Sequence, residues 1–440
     1  MTKVQRRVAQ IASALYKLIV LYLGEGWDMG TKSAFNRVTL WASFLFVVIL
    51  GFSRLSYGMF LPGIQRVIGG SYGQLGILGT VNFIGYLVGT LCLSPLISRF
   101  PDRKHVINRM TCLVLGLTLI GSAFSNHFTQ LGLWRFAIGL LSAFATVLVL
   151  SIAMEAVRPA ERGVASGLIW LGGSAGILVT GLFAPYTIDP SHLQGWRYAW
   201  VIMGVFGVIA AFGFEFVTRK RGSEKIPSQT ELKPRGKESV NVYRLLLDPK
   251  KHMFLILSYF FFGSGYIIYF TYLIPYLVSK GIPSLNAGLI WSAIGFAGLF
   301  NGWIGGKAID RWPSGHTLAT GLTLGTIGVS GVITNNMMFT ALGATMVGLV
   351  SFITPPLMTT ALLRRHVPYH AYAACLSIAT AFFASGQIIG PIVGGLVVER
   401  YGLQFGVASS AIFMAIAAAF AGLYGQQQRK LEIRDLPLSG

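Results

Sequence analysis

A chain of 440 residues in which 53% of the side chains are hydrophobic and only 11% are charged lacks the polar surface of a soluble domain, where about 25% are charged. This composition excludes a cytosolic enzyme, a disordered chain and a disulfide scaffold, and the 54 glycines sit inside apolar runs, where membrane helices tolerate them. The net charge of +20 would point to nucleic acid only if it were spread over a soluble surface.

Residues 1–38 form an N-terminal segment with one apolar run of about eight residues, too short for a signal peptide and followed by no small-residue cleavage site. Two readings stay open. The run is a short helix lying on the inner leaflet, or translation starts at Met29, because the codons for Gly24-Glu25-Gly26-Trp27 are necessarily G-rich and resemble a ribosome-binding site.

Twelve apolar segments follow, at 39–64, 73–98, 106–126, 128–157, 162–188, 197–217, 252–279, 284–309, 316–334, 336–363, 370–398 and 403–425. Each suits the ~20 residues that a helix needs to cross hydrocarbon. The longest polar stretch, 218–251, divides them six and six, and its Pro, Lys, Glu and Ser content reads as a solvated linker with a short surface helix near Val242–Leu247. The expected organisation is an all-α polytopic membrane protein with a first six-helix half at 39–217, a linker at 218–251, a second half at 252–425 and a tail at 426–440.

With the N-terminus inside, 29 Lys and Arg fall on the cytoplasmic side and four, Arg66, Arg197, Lys280 and Arg400, on the outer side. Such a bias puts both termini in the cytoplasm, in the inner membrane of a cell, and makes the basicity topological, so no nucleic-acid partner is expected. Cys92, Cys112 and Cys375 lie in three different segments without metal-ligand spacing and read as packing residues. No nucleophile–base set, metal cluster or G-x-x-x-x-G-K-S/T motif is present, so neither an enzyme, a cofactor nor an ATP-driven pump is expected.

Two ionisable side chains fall at membrane depth, where a charge costs a few kcal/mol or more and marks function by default. Arg54 lies about 15 residues into the first segment, roughly 22 Å along it, and Arg135 about seven residues from the outer end of the fourth, roughly 10 Å. In a core about 30 Å thick the two reach similar depths and could address one cavity. All 15 Asp and Glu lie in loops, tails or segment ends, so neither a proton carrier nor a site for a lipophilic cation is visible at depth. Unpaired arginines offer bidentate donors to a carboxylate or similar anion. Each also has a structural reading: Arg135 as a bond to backbone carbonyls, Arg54 snorkelling outward. Tyr57, Asn82, Tyr86, Tyr266, Tyr269, Asn301 and Gln387 extend the candidate binding set, Asn82 and Tyr86 sharing a helix face, with Trp170, Trp291 and Tyr272 as further polar or aromatic companions.

Several motifs resemble those of the major facilitator superfamily. Gly306-Lys307-Ala308-Ile309-Asp310-Arg311 is close to the G-x-x-x-D-R/K signature that follows the second helix of each half. Its counterpart after the second segment has Ser94 and Ser98 where Gly and Asp are expected, followed by Arg99, Asp102, Arg103 and Lys104. Arg135 with Gly139 is similar to R-x-x-x-G, and Gly386, Gly390, Pro391 and Gly394 match the glycine–proline pattern of the eleventh helix. Gly51, Arg54 and Tyr57 with Asn82, Gly85, Tyr86 and Gly89 look like the poorly characterised YbfB/YjiJ-type branch.

The resemblance implies a secondary transporter in which two halves rock about a central site. It further implies that Gly306, Asp310, Arg311, Arg99, Asp102, Glu155 and Arg162 serve an inner latch. Gly386, Gly390, Pro391 and Gly394 would make a thin, bendable helix between the halves. The expected cargo is a small organic anion, moved by antiport, uniport or symport with its own proton by a monomer in the bilayer, with a coupling ion or counter-substrate as a further partner. A proton-linked efflux pump for hydrophobic compounds and a non-transporting sensor or scaffold are the alternatives.

Overall fold

The computed structural model describes residues 36–186, 194–219, 242–300, 311–312, 314–356, 362–363, 367 and 369–434, and among these it is helical with no strand. Both readings of residues 1–35 lie outside the described residues. Helix α1 (Arg37–Phe46) begins where the Asn36 side chain accepts from the Thr39 amide, 2.9 Å. It passes into a π-helical stretch, Val47–Leu55, and then α2 (Tyr57–Ile68). Then come α3 (Tyr72–Arg99), α4 (Lys104–Ser122), α5 (Phe128–Glu155), α6 (Arg162–Phe183) and α7 (Gly195–Arg219). After α8 (Val242–Leu246) come α9 (Met253–Ser279), α10 (Ser284–Leu299), α11 (Gly315–Ser330) and α12 (Met337–Pro356). The chain closes with α13 (Tyr369–Tyr401) and α14 (Leu403–Arg434).

Nine spans among the described residues are long and apolar enough to cross a membrane, with Ser284–Leu299 and Met337–Phe352 as shorter apolar helices. Every apolar segment read from the sequence contains a helix. Those at 162–188, 284–309 and 336–363 run partly into residues outside the description, and Asn301, Gly306 and Asp310 lie outside it.

Helices before residue 220 pack mainly on one another, α3 on α5, α4 on α7, and α1 with the π-helical stretch on α6. Those after 241 do the same, α9 lying against α13 and α14, and α11 against α14. Among the described residues the chief crossings between the groups are α2 on α9, α3 on α13 and α6 on α10. Their named contacts run from the middle of the helices to the end bearing residues 69–71. Thr80 Oγ1 donates to the Ile388 carbonyl at 3.0 Å, Ser292 Oγ to the Leu178 carbonyl at 3.1 Å, and Ser71 Oγ to Glu399 Oε1 at 2.5 Å.

Close approach of backbones replaces the hydrophobic driving force that hydrocarbon removes. Gly58 lets α2 touch α9, since a Cβ there would overlap the Phe270 carbonyl. Gly139 does the same for α5 on α3, where a Cβ would overlap the Asn82 carbonyl oxygen. Gly139→Val is therefore expected to destabilise the first group by about 3 kcal/mol, read as a lower melting temperature and loss of monodisperse protein in detergent. An unchanged melting curve would show that α3 and α5 do not need this contact.

Candidate functional site

Arg54 owes its position to the π-helical stretch. Ser53 Oγ donates to the Ile49 carbonyl at 2.5 Å, and the Gly51 carbonyl accepts from both the Ser56 amide, 2.9 Å, and the Ser56 hydroxyl, 2.7 Å. Hydroxyls that take up helix carbonyls compete with the regular ladder, and an i→i+5 turn widens the coil. Gly51 allows this under pressure from α6, as a Cβ would lie 2.6 Å from the Gly176 Cα. The effect is to aim Arg54 at the second group of helices.

The Arg54 guanidinium carbon lies 3.9 Å above the Tyr86 ring and 5.3 Å from that of Phe83. Its Nη2 donates to Gln387 Oε1 at 3.3 Å, crossing from the first group to α13, and Gln387 Nε2 donates to the Tyr266 hydroxyl of α9. Arg54 is 9% exposed and Gln387 1%. Nε of Arg54 has no hydrogen-bond partner. The ion pairs among the described residues are Lys104–Glu155, Arg109–Glu215, Arg158–Glu161 and Lys251–Asp248, so no described carboxylate faces either deep arginine.

Arg135 stands behind this cluster. It is fully buried, its Nη1 donates to the Ser53 carbonyl at 2.9 Å, and its guanidinium lies 4.3 Å from the Tyr57 ring centroid and 5.9 Å from that of Trp200. Tyr57 turns its hydroxyl to the Leu75 carbonyl, 2.9 Å, and Asn82 Nδ2 donates to the Arg135 carbonyl, 2.9 Å. The candidate binding set therefore divides. Arg54, Tyr86, Tyr266 and Gln387 come together between the groups, whereas Arg135, Tyr57 and Asn82 form a second, buried cluster that braces the first. Tyr269 is fully buried without a hydroxyl partner and joins neither. Trp291 is buried against Phe270, and Trp170 is 44% exposed.

The described residues read as an inner latch lie at helix ends. Glu155 pairs with Lys104, not with Arg158 or Arg162; Arg158 pairs with Glu161, and Arg162 Nε donates to the Met154 carbonyl at 3.1 Å. Arg99 and Asp102 are exposed, and Arg311, also exposed, lies 5.3 Å from the Trp312 ring. Gly386, Gly390 and Gly394 rest on Phe260, Ser264 and Ile268 of α9, in their own group, because a thin face is most useful where two long helices run side by side. Only Gly395, beside Gly73, serves the crossing to α3. The Pro391 carbonyl accepts from the Tyr272 hydroxyl, 2.8 Å. Sequence reading missed the π-helical stretch and the ring at Phe383; the cluster Gly51, Ser53 and Ser56 was the available signal for the former.

Residues 46–424 match the family described as "Uncharacterised MFS-type transporter YbfB". The chloramphenicol efflux pump Rv0191 of Mycobacterium tuberculosis is 25% identical over 361 residues, covering 78% of this chain and 81% of its own. The uncharacterised MFS-type transporter YbcL of Bacillus subtilis is 22% identical, covering 90% and 98%. A bacterial homolog of the human lysosomal transporter Spinster, solved in an inward-facing, unoccupied conformation, superposes with a TM-score of 0.69 at 16% identity, covering 92% and 99%. Likeness at that identity speaks for the fold alone.

Proposed function

The chain belongs to the YbfB-type transporters of the major facilitator superfamily, and from that membership we propose that it carries a small organic anion by alternating access. It is a multi-pass membrane protein; the finer reading is twelve crossings, six on each side of residues 218–251, with both termini in the cytoplasm and the inner membrane as its site.

One observation carries the anion reading. Arg54 lies where the two groups meet, with a neutral amide at 3.3 Å as its hydrogen-bond partner and a free Nε. A guanidinium presents a planar fork, and a carboxylate accepting two of its N–H groups makes a stronger contact than one long bond to an amide oxygen. Arg135 serves as the positioning residue, because its bond to the Ser53 carbonyl holds the turn from which Arg54 projects. With no described carboxylate near the site, transport by antiport, uniport or symport with the substrate's own proton is favoured over coupling through a resident acid. The named crossings gather toward the end near Ser71, which is the end that rocking would part.

Efflux of hydrophobic compounds is the second reading, favoured by the rings around Arg54 and by the named activity of the mycobacterial relative. Thermal stabilisation of the purified protein by carboxylates, neutral metabolites including chloramphenicol, and lipophilic cations separates the two. A carboxylate at 100 times its Kd is expected to stabilise by about 2.7 kcal/mol, and Arg54→Gln is expected to remove that gain. Stabilisation by chloramphenicol or lipophilic cations alone, unchanged in Arg54→Gln, would put efflux first.

A further inference from the structure

We propose that the acid carried by this site is planar and aromatic, its carboxylate held by Arg54 and its ring laid against the rings around that guanidinium. This rests on the anion reading above and narrows it. Tyr259, Phe262, Gly263 and Tyr266 recur at helical spacing on one face of α9. Phe383 of α13 lies nearly parallel to the three rings: 4.5 Å and 14° from Tyr259, 6.0 Å and 16° from Phe262, 5.7 Å and 8° from Tyr266. Gly263 makes room for it, since a Cβ there would come within 2.9 Å of the Phe383 ring and 2.6 Å of its carbonyl oxygen. Rings elsewhere near the first group, such as Phe52 on Phe206 and Phe60 on Trp200, meet edge to face.

The first group answers with Tyr86 and Phe83 on the guanidinium. Of these six rings, Phe83, Tyr259, Phe262 and Tyr266 are buried, whereas Tyr86 and Phe383 are half-buried and keep surface to offer. The bonds from Arg54 to Gln387 and from Gln387 to Tyr266 tie the charged fork to the ring column. The Gln387 carboxamide is flat and presents one oxygen to the fork, so it holds the place that the substrate carboxylate takes. A carboxylate conjugated to an aromatic ring lies in the plane of that ring. One flat molecule can thus meet the fork edge-on and the rings face-on, which a puckered ring cannot do.

The test compares benzoate with cyclohexanecarboxylate, acids of equal charge and carbon count, by calorimetric titration of the full chain in lipid nanodiscs. Benzoate is expected to bind about tenfold more tightly, and Phe383→Leu to reduce that ratio to about twofold. Equal affinities in the unaltered protein would overturn the proposal without recourse to any variant, and would leave the anion reading standing. Binding of neither acid, nor of acetate or hexanoate, with no effect of Arg54→Gln, would remove the anion reading and this inference together.

Discussion

Bridging Ser71→Cys to Glu399→Cys is expected to stop transport while leaving binding of a carboxylate probe intact. Ser71 caps α3 and Glu399 ends α13, and their side chains touch at 2.5 Å across the crossing of the two groups. Alternating access by rocking requires this end to part when the opposite end closes. A covalent tether forbids that, so a short methanethiosulfonate bridge should lower exchange by about 100-fold or more, the interface being two-state rather than continuously deformable. Neither residue of the tether touches Arg54 or Gln387, so binding should survive. Cys92→Ser removes the exposed native thiol; Cys112 and Cys375 are buried. Reducing the bridge restores transport if the double variant is otherwise sound, which also controls for the lost cap, a cost of about 1 kcal/mol. Undiminished exchange in the bridged protein would show that this contact does not open during the cycle.

Arg135→Met separates positioning from stability. The side chain is fully buried, with one bond to the Ser53 carbonyl, two aromatic neighbours, and Nε and Nη2 unpartnered. Removing a charge from water costs several kcal/mol. A charged hydrogen bond returns about 1.5–3 kcal/mol, and desolvated cation–π contact about 2 kcal/mol. These nearly cancel, and Met fills similar volume with a flexible apolar chain. The melting temperature is therefore expected to fall modestly, because the freed Ser53 carbonyl costs about 1–3 kcal/mol. Transport is expected to fall by about 100-fold, because a misplaced Arg54 loses its alignment even at 1 Å error. A loss of more than about 3 kcal/mol in stability would instead make Arg135 a structural clamp, as breaking a buried charge pair does.

Much of this was legible before any coordinates. Hydrophobic runs near the bilayer length located the helices because hydrocarbon offers the backbone no hydrogen bonds, so length and apolarity alone constrain a span. Arg54 stood out for the same reason, as did Gln387 and Tyr266, polar groups in apolar runs. The partition of the candidate set was not legible. Arg54 and Arg135 have similar depth and chemistry, yet one meets the opposite group and the other a backbone carbonyl 82 residues away in sequence. Which way each projects depends on helix rotation, and the π-helical turn alters that rotation locally. A regular 3.6-residue count through 47–55 misplaces every side chain beyond Gly51.

The same limit explains the glycines and the charges. Gly386, Gly390 and Gly394 announced a thin face four residues apart, but a helix with neighbours in both groups has two candidates for that face, and only packing chose α9. Glu155 was surrounded in sequence by Arg158 and Arg162, yet Lys104 reaches it because α4 lies beside α5. The sequence by itself determined the solvent of this protein, the positions of its helices and the rarity of its deep charges, since each is a property of residue type against water or lipid. Tertiary structure alone decided which arginine meets the second group, which rings lie parallel and where the groups touch. Those are matters of direction around a helix axis, which residue spacing leaves free until neighbours fix it.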